Sequence, residues 1–264
     1  MAIRALSTAA SGMTAMQTKM DVVANNLANV NTSGYKRVRA SFEDLLYQQI
    51  RHPGFAAIEG TKIPTGIQIG VGTKVVSTEK IHAQGELEYT ERDLDIAIEG
   101  DGFFVVEIQG GQMAYTRAGD FKRDLEGNIL TADGYRLSPA MQIPTNVTRI
   151  AVSPDGIVEG LDPNNPSTPV NIGQITIARF PNAAGLMSVG DNLYVESAAS
   201  GAPSVGNPGV ESRGILRNQF LETSNVQVVR ELVDMITTQR AFEINSKSIQ
   251  TADEMLQTVN NIRR

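Results

Sequence analysis

The sequence predicts an α+β chain in which N- and C-terminal α-helices pair as a coiled coil, with a β-rich, mostly antiparallel middle domain between them. Three observations carry this. Apolar residues near the N-terminus recur at alternating steps of three and four, apolar residues near the C-terminus recur every seven, and the stretch between reads as short β-prone runs punctuated by glycine turns.

In the first helix the stripe is Ile3, Leu6, Ala10, Met13, Gln17, Met20, Ala24 and Leu27. A helix covering it is about 36 Å long at about 1.5 Å per residue. It is expected to stop near Asn31, because "NTSG" combines poor helix formers with Gly34 as a cap. The middle opens on "DLDIAIEG", whose alternation of Leu94, Ile96 and Ile98 is strand spacing, and continues through "FFVVEI", the Gly110-Gly111 turn and "MAYTR". Glycines at 127, 134 and 156 mark further hairpins. Residues 162–169, "DPNNPSTP", read as a loop, "VNIGQITIARF" as one more strand, and 200–209 as a Gly/Pro linker. The last helix is expected from about Asn225, with Ser224 and Gln227 as a capping box. Its stripe is Val228, Met235, Phe242, Ile249 and Leu256, widened by Leu232, Ala252 and Val259 and interrupted by Gln239, Ser246 and Asp253.

Composition narrows the function classes. With 23 Lys+Arg against 29 Asp+Glu, the formal net charge of −6 gives no basic surface for nucleic acid. The absence of cysteine removes disulfides, thiolate nucleophiles and Cys-ligated metals together. The N-terminus lacks a secretory pattern, and no stretch is apolar and long enough to insert in a membrane. His52 and His82 sit in no metal-ligand spacing and read as surface or packing residues. "GVGTK" at 70–74 fails the phosphate-loop spacing. Asp93, Asp95, Glu99 and Asp101 form the one acidic cluster able to do acid–base work, and the solvated outer face of a strand accounts for it. No catalytic, cofactor or metal site is expected.

The asparagines of "VVANNLANVNTSGYKR" raise a separate question. Asn25 and Asn29 share a helix face, with Asn26 beside them near the Ala24–Leu27 seam. Amides at core positions of a bundle cost stability and specify register. The expectation is that they are satisfied between chains, with Gln239 and Asn245 in the same role on the second helix.

These segments also resemble a known family. "ANNLANVNTSGYKR" is similar to the N-terminal signature of the bacterial flagellar rod and hook axial proteins, and Glu222–Gln257 is similar to their C-terminal signature. "LDIAIEGDGFFVV" and "YTRAGDF" resemble internal motifs of the same family, and "SFEDLLYQQIRHPG" looks most like its distal-rod branch.

The resemblance implies a non-enzymatic subunit that polymerises with itself into a helical tube and transmits torque. Its implied neighbours are proximal rod proteins, the hook protein and the P-ring and L-ring proteins. It further implies export without a cleaved signal, by the flagellar type III apparatus, to a basal-body rod crossing the periplasm. Three regions follow: a terminal coiled coil of 1–34 with 223–264, a connecting region of 35–80 with 203–222, and an outer β domain of 81–202. Within the connecting region an extended rod-specific hairpin at about 45–72 is implied, carrying Pro53, Gly54, Ile63, Pro64, Ile67 and Ile69. The rival readings are another axial protein of the family, an exported glycan-acting enzyme using the acidic cluster, and a binding module on a helical stalk.

Overall fold

Two long helices bracket the chain: α1 spans Ala2–Ala28 and α2 spans Val228–Ile262. The computed structural model describes residues 2–51, 56–58, 61–62, 65–108, 110–162 and 165–262. Its contacts separate two compact units, one of residues 1–28, 38–79 and 227–264, the other of 29–37 and 80–226.

In the first unit, α1 and α2 pack on each other, and the strand Val38–Asp44 pairs with Thr73–Lys80. Tyr47–Arg51 pairs antiparallel with Ile67–Gly70, joining Gln48 to Ile69 and Arg51 to Ile67. Ala56–Ile58 and Thr61–Lys62 pair in turn. The described residues between 47 and 70 therefore carry paired strands where residue pattern alone suggests only a glycine- and proline-rich loop.

The second unit is built on the strand Phe103–Glu107 in a nine-stranded sheet. Met113–Thr116 and Arg136–Leu137 pair with it antiparallel, as does Ile177–Arg179. Alternation along it separates two cores, as a period of two demands. Phe104 and Val106 join Ile96, Ile98, Phe121 and Ile177, whereas Phe103 and Val105 join Tyr115, Phe180 and Tyr194. Phe104 meets Phe121 edge-on, with ring centroids 5.0 Å apart. Such a pair adds roughly 0.5–1.5 kcal/mol to the burial itself. The turns at Gly127, Gly134 and Gly156 all have positive φ, as hairpin turns require.

Several expectations are corrected. Ile96–Glu99 is not half-solvated: Ile96, Ala97 and Ile98 are all buried. The loop expected at 162–169 is replaced over its described residues by strand: Asp162 ends one and a second runs Asn165–Gln174. It is an edge strand of a three-stranded sheet, where prolines lacking an N–H are tolerated. The expected single strand after it breaks, and a second strand begins at Ile177. The capping box does not form. Ser224 Oγ accepts from Val226 N at 3.3 Å instead, and α2 starts at Val228 with Glu231 N donating to Gln227 O at 3.0 Å. Asn225 explains the delay. Its side chain accepts from Arg37 N and donates to the carbonyls of Ile81 and Ala83, which holds this backbone extended.

A buried charge cluster ties the second unit's entry and exit together. Glu222 accepts from Lys36 Nζ at 2.6 Å, Gly85 N at 2.8 Å and Arg117 Nε at 2.6 Å. Burial raises the Glu222 carboxyl, but Arg117 and Lys36 outweigh it and hold the group below the usual carboxylate range. Burial pushes Lys36 down, and repulsion from Arg117 adds to that, so its attraction to Glu222 does not restore it. The two directions differ because one carboxylate serves two cations. Gly34 is required here: its φ is +70°, and a Cβ would lie 2.6 Å from Ala118 N.

Candidate assembly surface

The α1–α2 seam is made of small and polar side chains. On α1 the buried residues are Ala9, Ala15, Val23 and Asn26; on α2 they are Glu231, Thr238 and Ala252. The approach is close enough that a Cβ on Gly12 would lie 3.0 Å from Asn245 Nδ2. The expected bulky stripe is thus rolled aside. Leu6, Met13, Met20 and Leu27 are half-buried beside the seam, as are Met235, Asn245 and Ile249. Val228, Leu232, Gln239, Phe242 and Leu256 are exposed. The physical reason is that small side chains let two helix backbones approach, whereas reading by bulk selects the larger residues beside them.

Asn26 answers the asparagine question differently from the expectation. It is fully buried, and its partners lie within the chain: Nδ2 donates to Val38 O at 2.9 Å and to Glu231 Oε2 at 3.2 Å, while Oδ1 accepts from Val38 N at 2.9 Å. It fixes the register of α1 against both the following strand and the first turn of α2, where a carboxylate also suits the helix dipole. Asn29 lies beyond the end of α1 and accepts from Thr32 Oγ1 at 3.2 Å in a turn. Asn25 is exposed on α1.

On α2 a second apolar stripe remains open: Val229 is 76% exposed, Val233 54%, Ile236 50% and Ile244 65%. At about 100° per residue it lies roughly opposite the Glu231–Thr238–Asn245 seam. The paired strands of the same unit are equally uncovered, with Leu46 88% exposed and Tyr47, Ile50, Ile67 and Ile69 all exposed. An isolated two-stranded ribbon is marginal in water. Pro53, Gly54, Ile63 and Pro64 lie outside the described residues, as does the side chain of Ile3.

Comparison with known proteins gives this surface a context. Residues 6–36 match the model "Flagella basal body rod protein", 97–160 match "Flagellar hook protein FlgE/F/G D1 domain", and 217–262 match "Flagellar basal body rod FlgEFG protein C-terminal". The chain is 48% identical to the flagellar basal-body rod protein FlgG of Borreliella burgdorferi, covering 99% of both chains. It is 45% identical to that of Caulobacter vibrioides and 41% to that of Bacillus subtilis, covering 99% of this chain and 100% of the relative in each case.

The chain belongs to the flagellar basal-body rod protein family.

The matched rod-protein segments contain most of α1 and all of α2, so the family's two end regions coincide with the paired helices, the second of which leaves large apolar residues uncovered. A rod protein is a structural axial subunit, and the acidic cluster behaves as structure here. Asp93 accepts from Ile150 N at 3.2 Å and Gln219 Nε2 at 3.0 Å. Asp95 is completely buried, opposite Asp120 in a β-bridge, and not on a solvated strand face. It cannot meet a glycan. Among the described residues no group of three or more His, Cys, Asp or Glu is placed to hold a metal ion. No described helix is long and apolar enough to cross a membrane.

Sequence reasoning missed the small-residue seam, although Ala9, Gly12 and Ala15, and again Val23 and Asn26, recur at steps of three. It also missed the Lys36–Glu222–Arg117 cluster, whose members are remote in sequence and carry no local signal.

Proposed function

We propose that this chain is the distal-rod subunit, a non-enzymatic component that polymerises head to tail into a rigid tube carrying torque from motor to hook. The observation that supports it most directly is the apolar stripe Val229–Val233–Ile236–Ile244 on a helix whose opposite face is already satisfied. Monomeric soluble proteins rarely leave such patches uncovered. The occupant we assign is a second copy of the chain. A repeated, non-closing contact of this kind generates an open helical filament.

In this reading the strands of residues 47–70 wedge between neighbouring subunits and stiffen the shaft, with Leu46, Ile50, Ile67 and Ile69 as the side chains covered there. Proximal rod proteins below, the hook protein above and the P-ring and L-ring proteins around it are the proposed neighbours. Export by the flagellar type III apparatus and a position across the periplasm complete the proposal. The helix pair is already joined within one chain by Asn26 and Glu231. Assembly therefore needs to cover the outer stripe, and does not have to create the pair.

The test is Ile236→Asp together with Ile244→Asp. Because both side chains are exposed, the monomer should keep its helical signal and lose less than about 0.5 kcal/mol of stability. Polymerisation of the purified chain, and rescue of motility in a strain lacking its own rod subunit, should both be abolished. Normal filaments and full motility from the double variant would overturn the assignment.

A further inference from the structure

The second unit contains a cavity of about 210 Å³ whose polar lining is dominated by cations: Lys36, Arg117 and Arg179, with His82, and with Asp101 as the acidic group of the wall. We propose that it binds one hydrogen phosphate ion, held by Arg179 at its exposed side and by the spare donors of Lys36 and Arg117, with His82 accepting the ion's own O–H.

Donor bookkeeping supports this. A lysine ammonium has three N–H groups, and Lys36 uses two acceptors, Ala83 O at 2.8 Å and Glu222 Oε1. Arg117 has five, and directs three bonds to Glu222, Gly102 O and Ile98 O. Arg179 is exposed and makes no ion pair among the described residues. The buried carboxylate of this cluster, Glu222, is thus shared by two cations, and a third, Arg179, stands beside the same cavity with no ion-pair partner among the described residues.

His82 decides between kinds of anion. Its ring packs edge-on against Phe103 and Tyr194, with centroids 5.5 Å away in each case. Its Nδ1 is buried with no hydrogen-bond partner. Burial and the facing charges of Lys36, Lys80 and Arg117 keep the imidazole neutral. In the neutral tautomer we assign, with the proton on Nε2, Nδ1 is an acceptor in need of a donor. A fully deprotonated oxyanion such as sulfate offers none. Hydrogen phosphate brings both negative charge for the cations and an O–H for Nδ1.

This inference is independent of the assembly reading, because it concerns the isolated chain. The probe is inorganic phosphate, titrated at pH 7.5 and matched ionic strength, with sulfate and chloride as comparisons. The readout is the His82 ring resonance, assigned by comparison with His52→Gln, since the chain has only two histidines. Phosphate should give a saturable shift and raise the thermal midpoint. Arg179→Ala, at an exposed position, should fold normally and bind at least about tenfold more weakly, as expected for losing a hydrogen bond from a charged group. Sulfate should bind several-fold more weakly than phosphate. An unsaturable response, unchanged affinity in Arg179→Ala, or sulfate equal to phosphate would each overturn the proposal.

Discussion

Replacing Glu222 with glutamine keeps the shape of the side chain and removes its charge. In the wild type this carboxylate is inaccessible to solvent and neutralises Lys36 and Arg117, both also buried. The substitution strands two cations close together in a low-dielectric interior. Breaking a buried pair by removing one partner costs about 3–5 kcal/mol. For a domain of this size, at about 2–4 °C per kcal/mol, the thermal midpoint should fall by roughly 6–20 °C.

Lys36→Met should behave differently. Burial already disfavours the ammonium more than Glu222 favours it, so this variant should cost less than about 1 kcal/mol. Added to Glu222→Gln, it should restore at least about 1 kcal/mol by removing one stranded charge. The pH dependence provides a second check. A depressed folded-state pKa means the contribution of Glu222 is fully present above the unfolded value of about 4.3, and is lost as pH falls through the folded value. The stability gap between wild type and Glu222→Gln should therefore be flat from about pH 5 to 8 and shrink below about pH 4. Chemical denaturation across that range measures it. A gap under about 1 kcal/mol at neutral pH, or no recovery in the double variant, would refute the account of the cluster.

Two further outcomes are expected. Asn26→Ala should lower stability by about 2–4 kcal/mol, because it leaves the Val38 backbone groups and the buried Glu231 carboxylate short of partners; loss of helical signal on heating measures it. His82 should make the protein acid-sensitive in phosphate-free buffer. Its pKa is lowered to about 4 by burial and neighbouring cations, so below about pH 6.5 the unfolded chain takes up a proton that the folded one refuses. About 2 kcal/mol should be lost between pH 7 and pH 5, and His82→Phe should remove that part of the slope.

What could be read without coordinates was whatever repeats locally. Steps of three, four and seven announced two long helices, and glycines at 127, 134 and 156 announced tight turns, because these signals depend on neighbours a few residues away. The family's end motifs were legible for the same reason, being continuous stretches. Even where periodicity was correct, however, it did not say which side of α1 meets α2. Ala9, Gly12 and Ala15 repeat as regularly as Leu6, Met13 and Met20, and only the close approach of the two backbones selects the smaller set. The partners of Asn26 and Glu222 were likewise out of reach: Glu231 stands 205 residues from the first, and Lys36 stands 186 from the second. A buried polar group is satisfied by whatever folding brings beside it, and that is a property of the tertiary structure alone.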